Sequence, residues 1–122
     1  MGGADTLVGG MDEAKVRRDF DRAVNMTAGE IDRWLKTDES RGVGFRREGA
    51  TESVGHASGR RIVRILKKLG PELTADDYAH MRKVVGYVHR HSAQRPDKDG
   101  DELARTRWAA SLKNWGHDPL RD

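Results

Sequence analysis

Residues 58–71 constrain the fold more than any other part of the sequence. The aliphatic side chains of this stretch recur at the spacing of one helical face: Ile62, Val63, Ile65, Leu66 and Leu69. Ser58 stands where a helix N-cap is expected, and Gly70 followed by Pro71 is a typical helix stop. The stretch therefore predicts an amphipathic helix with a sharp end.

The same helical period recurs elsewhere in the 122 residues, and no stretch shows the alternation of a half-buried strand. A chain of this length forms one domain at most. We predict an all-α, compact single domain of about five helices, with a helix-turn-helix-like pair at about 59–69 and 75–92. The other predicted segments are a flexible tail at 1–11, the helical domain at 12–122, a long loop at 38–57 and an exposed loop at 94–101.

Composition excludes several classes of protein. The sequence contains no cysteine, which excludes disulfide scaffolds, zinc ribbons, iron–sulfur clusters and thiol nucleophiles. It has no apolar run of the ~20 residues that a membrane span needs, and its first ten residues lack the pattern of a signal peptide. These features predict a cytoplasmic protein, associated with the nucleoid if it binds DNA.

Positive charge is concentrated in the middle of the chain. Residues 53–95 hold nine Lys and Arg against three Asp and Glu, a net charge of +6. Five of these cations lie within nine residues, opposite the aliphatic stripe: Arg60, Arg61, Arg64, Lys67 and Lys68. Like charges at i,i+4 repel each other, so something must offset them. Phosphates would do so, as would acidic side chains from the rest of the chain.

Two further features extend this basic face. Ser58 and Gly59 stand at the predicted helix start, where free backbone amides and the helix dipole favour an anion. On the next predicted helix, Lys83 and Arg90 lie opposite the apolar stripe, with Gly86 between them. The small residue would let a polymer backbone approach, or would permit tight packing against another helix.

Three segments carry a resemblance: SVGHASGRRIVRIL, LTADDYAHMRKVVGYVHRHSAQRP and RWAASLKNWGHDP. Together they resemble an uncharacterised domain-of-unknown-function family of small bacterial proteins, over about residues 20–119. Some members of that family are labelled DNA-binding proteins. The resemblance thus implies the function that the basic face indicates, and it supplies no catalytic or binding residues.

We predict a non-enzymatic protein that binds nucleic acid, most favourably double-stranded DNA, through phosphates and with weak or shape-led sequence preference. The predicted contacts are Arg60, Arg61, Arg64, Lys67, Lys68, Lys83, Arg90, Ser58 and Gly59. No catalytic residue, metal ligand, cofactor or membrane is predicted. Two alternatives stay open. One is an interaction module whose basic face docks an acidic partner or a second copy as a homodimer. The other is a small hydrolase using Ser53 or Ser58 with His56 and Glu52.

Overall fold

The computed structural model describes the backbone of residues 2–121 and the side chains of residues 12–121. Within the described backbone the chain is all-helical, as predicted, with seven α-helices and one 3-10 turn at Gly70–Glu72. The α-helices are α1 (Gly2–Ala23), α2 (Ala28–Trp34), α3 (Asp38–Gly42), α4 (Val54–Leu66), α5 (Ala75–Ser92), α6 (Gly100–Ala104) and α7 (Arg107–Asn114). None of these helices is long and apolar enough to cross a membrane.

Helix starts follow their capping residues. Thr27 and Glu30 form a reciprocal capping box at α2, and Thr74 and Asp77 form a second one at α5. In each box the threonine oxygen accepts the N3 amide, and the N3 carboxylate accepts the amide of the cap. Both helices therefore begin where the sequence predicts.

The predicted start of α4 is wrong. The helix begins at Val54, with Ser53 as its N-cap, and the Ser53 hydroxyl accepts the amide of His56. The predicted loop at 38–57 accordingly contains the first turn of α4, and also the short helix α3, which is capped by Thr37. The helix also ends earlier than expected, at Leu66, so Leu69 is 73% exposed instead of joining the core.

The core lies between two helix pairs. α1 packs on α5, α2 packs on α4, and α7 contacts α2, α3, α4 and α5. The stripes predicted for α4 and α5 supply much of this core, with Ile62, Val63, Ile65, Tyr78, Met81, Val84 and Val88 all buried. α4 and α5 touch each other but pack mainly on different partners, and a helix-turn-helix role for the pair stays a prediction.

The tail predicted at 1–11 falls on residues whose side chains lie outside the described part. The backbone of residues 2–11 is helical and continuous with the rest of α1. Flexibility of this segment stays a prediction.

A row of stacked rings joins α5 to α7. His80 stacks on Trp115 with centroids 6.2 Å apart, and Trp115 stacks on Tyr87 at 4.3 Å. Tyr87 then stacks on His91 at 5.0 Å, and His91 on Trp108 at 6.2 Å. The indole of Trp108 also donates to the carbonyl oxygen of His91 at 2.6 Å. The row fixes the side of α5 that faces α7.

Candidate functional site

Three of the five cations predicted between residues 60 and 68 pair with the protein's own carboxylates, so acidic side chains of the chain neutralise part of this face. Arg60 binds Glu52 through two hydrogen bonds, from Nε at 2.8 Å and from Nη2 at 2.6 Å. This pair, with the added hydrogen bond from His56, lowers the pKa of Glu52 to about 2. Two donor nitrogens of Arg60, Nε and Nη2, are therefore engaged within the molecule.

Arg61 and Lys68 share the second carboxylate, that of the buried Asp77. Lys68 Nζ donates to Asp77 Oδ2 at 2.6 Å, and the backbone amide of Thr74 donates to the same oxygen at 3.0 Å. These bonds lower the pKa of Asp77 to about 2. Arg61 Nη2 lies 3.6 Å from Asp77 Oδ1, too far for a hydrogen bond, so its guanidinium keeps donors for another partner.

The other predicted cations are uncommitted among the described residues. Arg64 and Lys67 on α4, and Lys83 and Arg90 on α5, are exposed. None of the four side chains has an ion pair or hydrogen bond with residues 12–121. Gly86 does not provide tight packing against another helix, because a Cβ there would meet the Arg90 guanidinium, at 2.9 Å. Approach of a polymer backbone at Gly86 stays a prediction.

Several of these charged side chains line an open cleft of about 360 Å³ between α4, α5 and the loop at 43–53. Its charged lining consists of Arg47, Arg60, Arg61, Arg64, Lys83 and Glu52. Because Glu52 is the one carboxylate of that lining, the lining carries a net charge of +4. Ser58, His80 and Trp115 form the inner wall. The arrangement suits an anion with several charged oxygens.

Ser58 and Gly59 do not lie at a helix start, so the reason for expecting free amides there is gone. Both residues are buried in the second turn of α4, where backbone amides bond within the helix. The Ser58 hydroxyl lies 2.9 Å from His80 Nε2. Gly59 packs so closely on α7 that a Cβ would stand 2.6 Å from the Asn114 carbonyl oxygen.

The residues of the hydrolase alternative do not form the expected arrangement. His56 Nδ1 pairs with Glu52, and His56 Nε2 lies 2.7 Å from the Leu35 carbonyl oxygen. Both ring nitrogens are therefore engaged away from Ser53 and Ser58. Among residues 12–121, the histidine whose ring contacts a serine hydroxyl is His80, on a different helix.

His80 is held neutral by its position in the cleft wall. Burial, followed by the positive charges of Arg61 and Lys83, lowers its pKa to about 4. At neutral pH the ring carries one proton, so in the tautomer protonated at Nδ1 its Nε2 accepts a hydrogen bond from the Ser58 hydroxyl. The imidazole thus adds a hydrogen-bonding group but no charge to the cleft.

We expect the stability of the fold to fall when the pH drops from 7.5 to 5. Over this range the unfolded chain protonates His80 near its ordinary pKa of 6.5, whereas the folded chain, with a pKa of about 4, does not. The unfolded state then binds more protons, which costs about 1–2 kcal/mol for a half-buried ring. Glu52 and Asp77, with pKa values of about 2, lose their contributions only at lower pH.

Urea melts of the wild type and of His80→Gln at the two pH values measure this effect. Glutamine can still accept the Ser58 hydroxyl but does not titrate, so the difference between the two pH values should shrink. The pKa of His91 is also lowered by burial, so a smaller pH dependence of the same sign should remain. An unchanged difference in the variant would exclude His80 as its source.

Sequence reasoning missed the part of the cleft contributed by the loop. Arg47 is given no role beyond the predicted loop at 38–57, and Glu52 is named only in the hydrolase alternative. Two arginines at 46 and 47, between Gly44 and Gly49, were the available signal. Both glycines adopt positive φ, +95° and +79°, so the loop has a defined turn at each side of the arginines.

The fold and the cleft define a small all-helical protein with a cationic, anion-complementary site. The sequence profile of a family described as a protein of unknown function (DUF3140) matches residues 19–113, and the chain belongs to that family. No curated protein and no solved structure matches the chain.

Proposed function

We propose that the protein binds nucleic acid without catalysis, with double-stranded DNA as the principal ligand. The observation that carries the proposal is the +4 charge of the cleft lining. The contacts to phosphate are proposed for Arg47, Arg61, Arg64, Lys67, Lys83 and Arg90. Arg60 and Lys68 are not included among these contacts, because they form ion pairs with Glu52 and Asp77. The DNA-binding label of the family resemblance agrees with this proposal, and a bacterial origin is likewise only an expectation from it.

The distribution of charge favours phosphates over a single small anion. Arg64 and Lys83 line the cleft, and Lys67 and Arg90 continue the positive surface along the same two helices beyond it. A polyanion can contact both regions at once and release counterions at each contact. Phosphate contacts of this kind position a duplex but carry no direct base readout, so we expect weak or shape-led preference.

We expect the variant Arg64→Gln with Lys83→Gln to bind a 30-base-pair duplex about tenfold more weakly than the wild type at about 0.1 M salt. Both side chains line the cleft and are unpaired among residues 12–121, so their loss removes about two phosphate contacts. At ~0.9 per phosphate, the log–log salt slope should fall from about −5.4 for the six proposed contacts to about −3.6 for the remaining four. Fluorescence anisotropy of a labelled duplex, titrated at several salt concentrations, measures both quantities.

The matched control is Lys98→Gln with Arg105→Gln. It removes the same net charge from exposed positions outside the cleft. Its affinity and slope should stay close to those of the wild type, and circular dichroism should show that both variants are folded. Equal losses in the two variants would mean that overall charge, not this cleft, controls binding. No measurable binding by the wild type would overturn the proposed function.

An interaction module that docks an acidic protein is the second candidate, favoured by the exposed Leu69 beside Lys67 and Lys68. Leu69 is 73% exposed, so an acidic partner docked on Lys67 and Lys68 would also bury an apolar side chain. Competition by poly-glutamate at the same charge concentration as DNA separates the candidates. Light scattering after size exclusion tests the homodimer, which stays a prediction.

A further inference from the structure

The loop at 43–53 presents one aromatic ring to solvent while its backbone is held in place. Phe45 is 73% exposed. The Phe45 carbonyl oxygen accepts the amide of Val54 at 2.8 Å, and Arg46 Nη2 donates to the Arg41 carbonyl oxygen at 2.6 Å. A large apolar ring held in water by a fixed backbone has no folding advantage. Because single exposed apolar side chains are common, the surroundings of Phe45 decide whether it belongs to a contact surface.

A second hollow, of about 200 Å³, lies against this ring. Tyr87, Trp115, Val54 and Gly55 line it together with Phe45, so its walls are mostly aromatic and apolar. Val54 and Trp115 also line the cationic cleft. The two hollows are therefore neighbours that share a wall, one suited to anionic groups and the other to a flat apolar group.

The loop at 43–53 contributes side chains to both hollows. Phe45 lines the aromatic hollow, and Arg47, two residues further along, lines the cationic cleft. Because the two hollows share Val54 and Trp115, this loop supplies an aromatic residue and a guanidinium to neighbouring sites. The arrangement matches a ligand that carries a flat base close to a phosphate.

We propose that Phe45 stacks on an unpaired base of a single-stranded nucleic acid whose phosphates lie in the cationic cleft. The inference rests on the proposed function and adds a second class of ligand to it. Bases in a duplex are stacked on each other and present no free face, whereas each unpaired base does. The positive charge of the neighbouring cleft favours a nucleic acid over an apolar peptide or a lipid tail, because neither of those carries an anionic group beside its apolar part.

The test compares Phe45→Ala with the wild type on two labelled probes, a 20-mer of deoxythymidine and a 30-base-pair duplex. We expect about tenfold weaker binding of the single strand by the variant, and less than twofold change for the duplex. Leu120→Ala is the matched control, because Leu120 is an exposed apolar residue outside both hollows and away from the proposed phosphate contacts. It should change neither affinity. Phe45→Trp should retain the binding of the single strand.

A third probe tests the base directly and needs no variant. An abasic 20-mer keeps the phosphates but lacks the bases, so the wild type should bind it about tenfold more weakly than the deoxythymidine strand. Equal binding of the two strands, or equal losses of Phe45→Ala on single strand and duplex, would overturn the stacking proposal. If Arg64→Gln with Lys83→Gln still weakens duplex binding in that case, the proposed function stands alone. If the wild type binds none of the probes, both proposals fail.

Discussion

Replacement of Asn114 by leucine is expected to lower the free energy of unfolding by about 3–5 kcal/mol. Asn114 is 1% exposed and joins α7 to both α2 and α3. Its Oδ1 accepts the Trp34 indole N–H at 2.8 Å and the Ser40 hydroxyl at 2.5 Å, and its Nδ2 donates to the Ser40 carbonyl oxygen at 3.0 Å. Leucine has similar volume but leaves all three groups without a partner, at about 1–3 kcal/mol for each one that stays dry.

Urea denaturation followed by circular dichroism measures the loss, and Asn25→Leu is its control. Asn25 also bridges distant segments, with Nδ2 donating to the Asp118 carbonyl oxygen and Oδ1 accepting the Asp118 amide. It is only half-buried, so water can reach the groups that it leaves, and we expect about 1 kcal/mol. Similar losses at the two positions would show that burial of the Asn114 network contributes little.

Gly59→Ala is expected to destabilise the fold by about 2–3 kcal/mol, although alanine is the better helix former. A Cβ at this position would stand 2.6 Å from the Asn114 carbonyl oxygen and 2.7 Å from Leu35 Cδ2. The carbonyl belongs to the backbone of α7 and cannot rotate away, so α4 and α7 must separate. The overpacking cost exceeds the gain of about 1 kcal/mol in helix propensity.

Gly86→Ala is the matched comparison, and we expect it to raise the stability of the fold. Gly86 also lies inside a helix, but a Cβ there meets only the end of the flexible Arg90 side chain. That side chain can move, so the propensity gain should dominate and raise the stability by about 0.5–1 kcal/mol. Thermal melts of the two variants should therefore shift in opposite directions. A stabilised Gly59→Ala would contradict the close packing of α4 on α7.

Local signals explain why much of the fold could be predicted from the sequence. The capping boxes at Thr27 and Thr74 bring together residues three positions apart, and the aliphatic stripes of α4 and α5 depend on the helical period alone. The same logic misplaced the start of α4, because Ser53 and Ser58 both qualify as caps. Both serines are buried, and only the tertiary structure distinguishes them: the Ser53 hydroxyl accepts the His56 amide, whereas the Ser58 hydroxyl meets His80 on α5.

The site was predicted less well than the fold, because the pairing of its charged side chains depends on which residues the tertiary structure brings together. Lys68 meets Asp77 because the 3-10 turn at Gly70–Glu72 brings the end of α4 to the start of α5. Arg60 meets Glu52 across the first turn of a helix that was predicted to begin later. A helical wheel places these cations on one face correctly, but it cannot show which of them a folded carboxylate neutralises. Arg47 joins the cleft only through the loop turns at Gly44 and Gly49.

The row of stacked rings gives the molecule an optical reporter of its own. Trp115 lies in the wall of both hollows, with Tyr87 on one face and His80 nearby. Trp34 is not part of that row and instead donates its indole N–H to Asn114. Emission from Trp115 should therefore respond when a ligand arrives, whereas emission from Trp34 should respond when α2 and α7 come apart. Binding and unfolding can thus be followed by intrinsic fluorescence in the unlabelled protein.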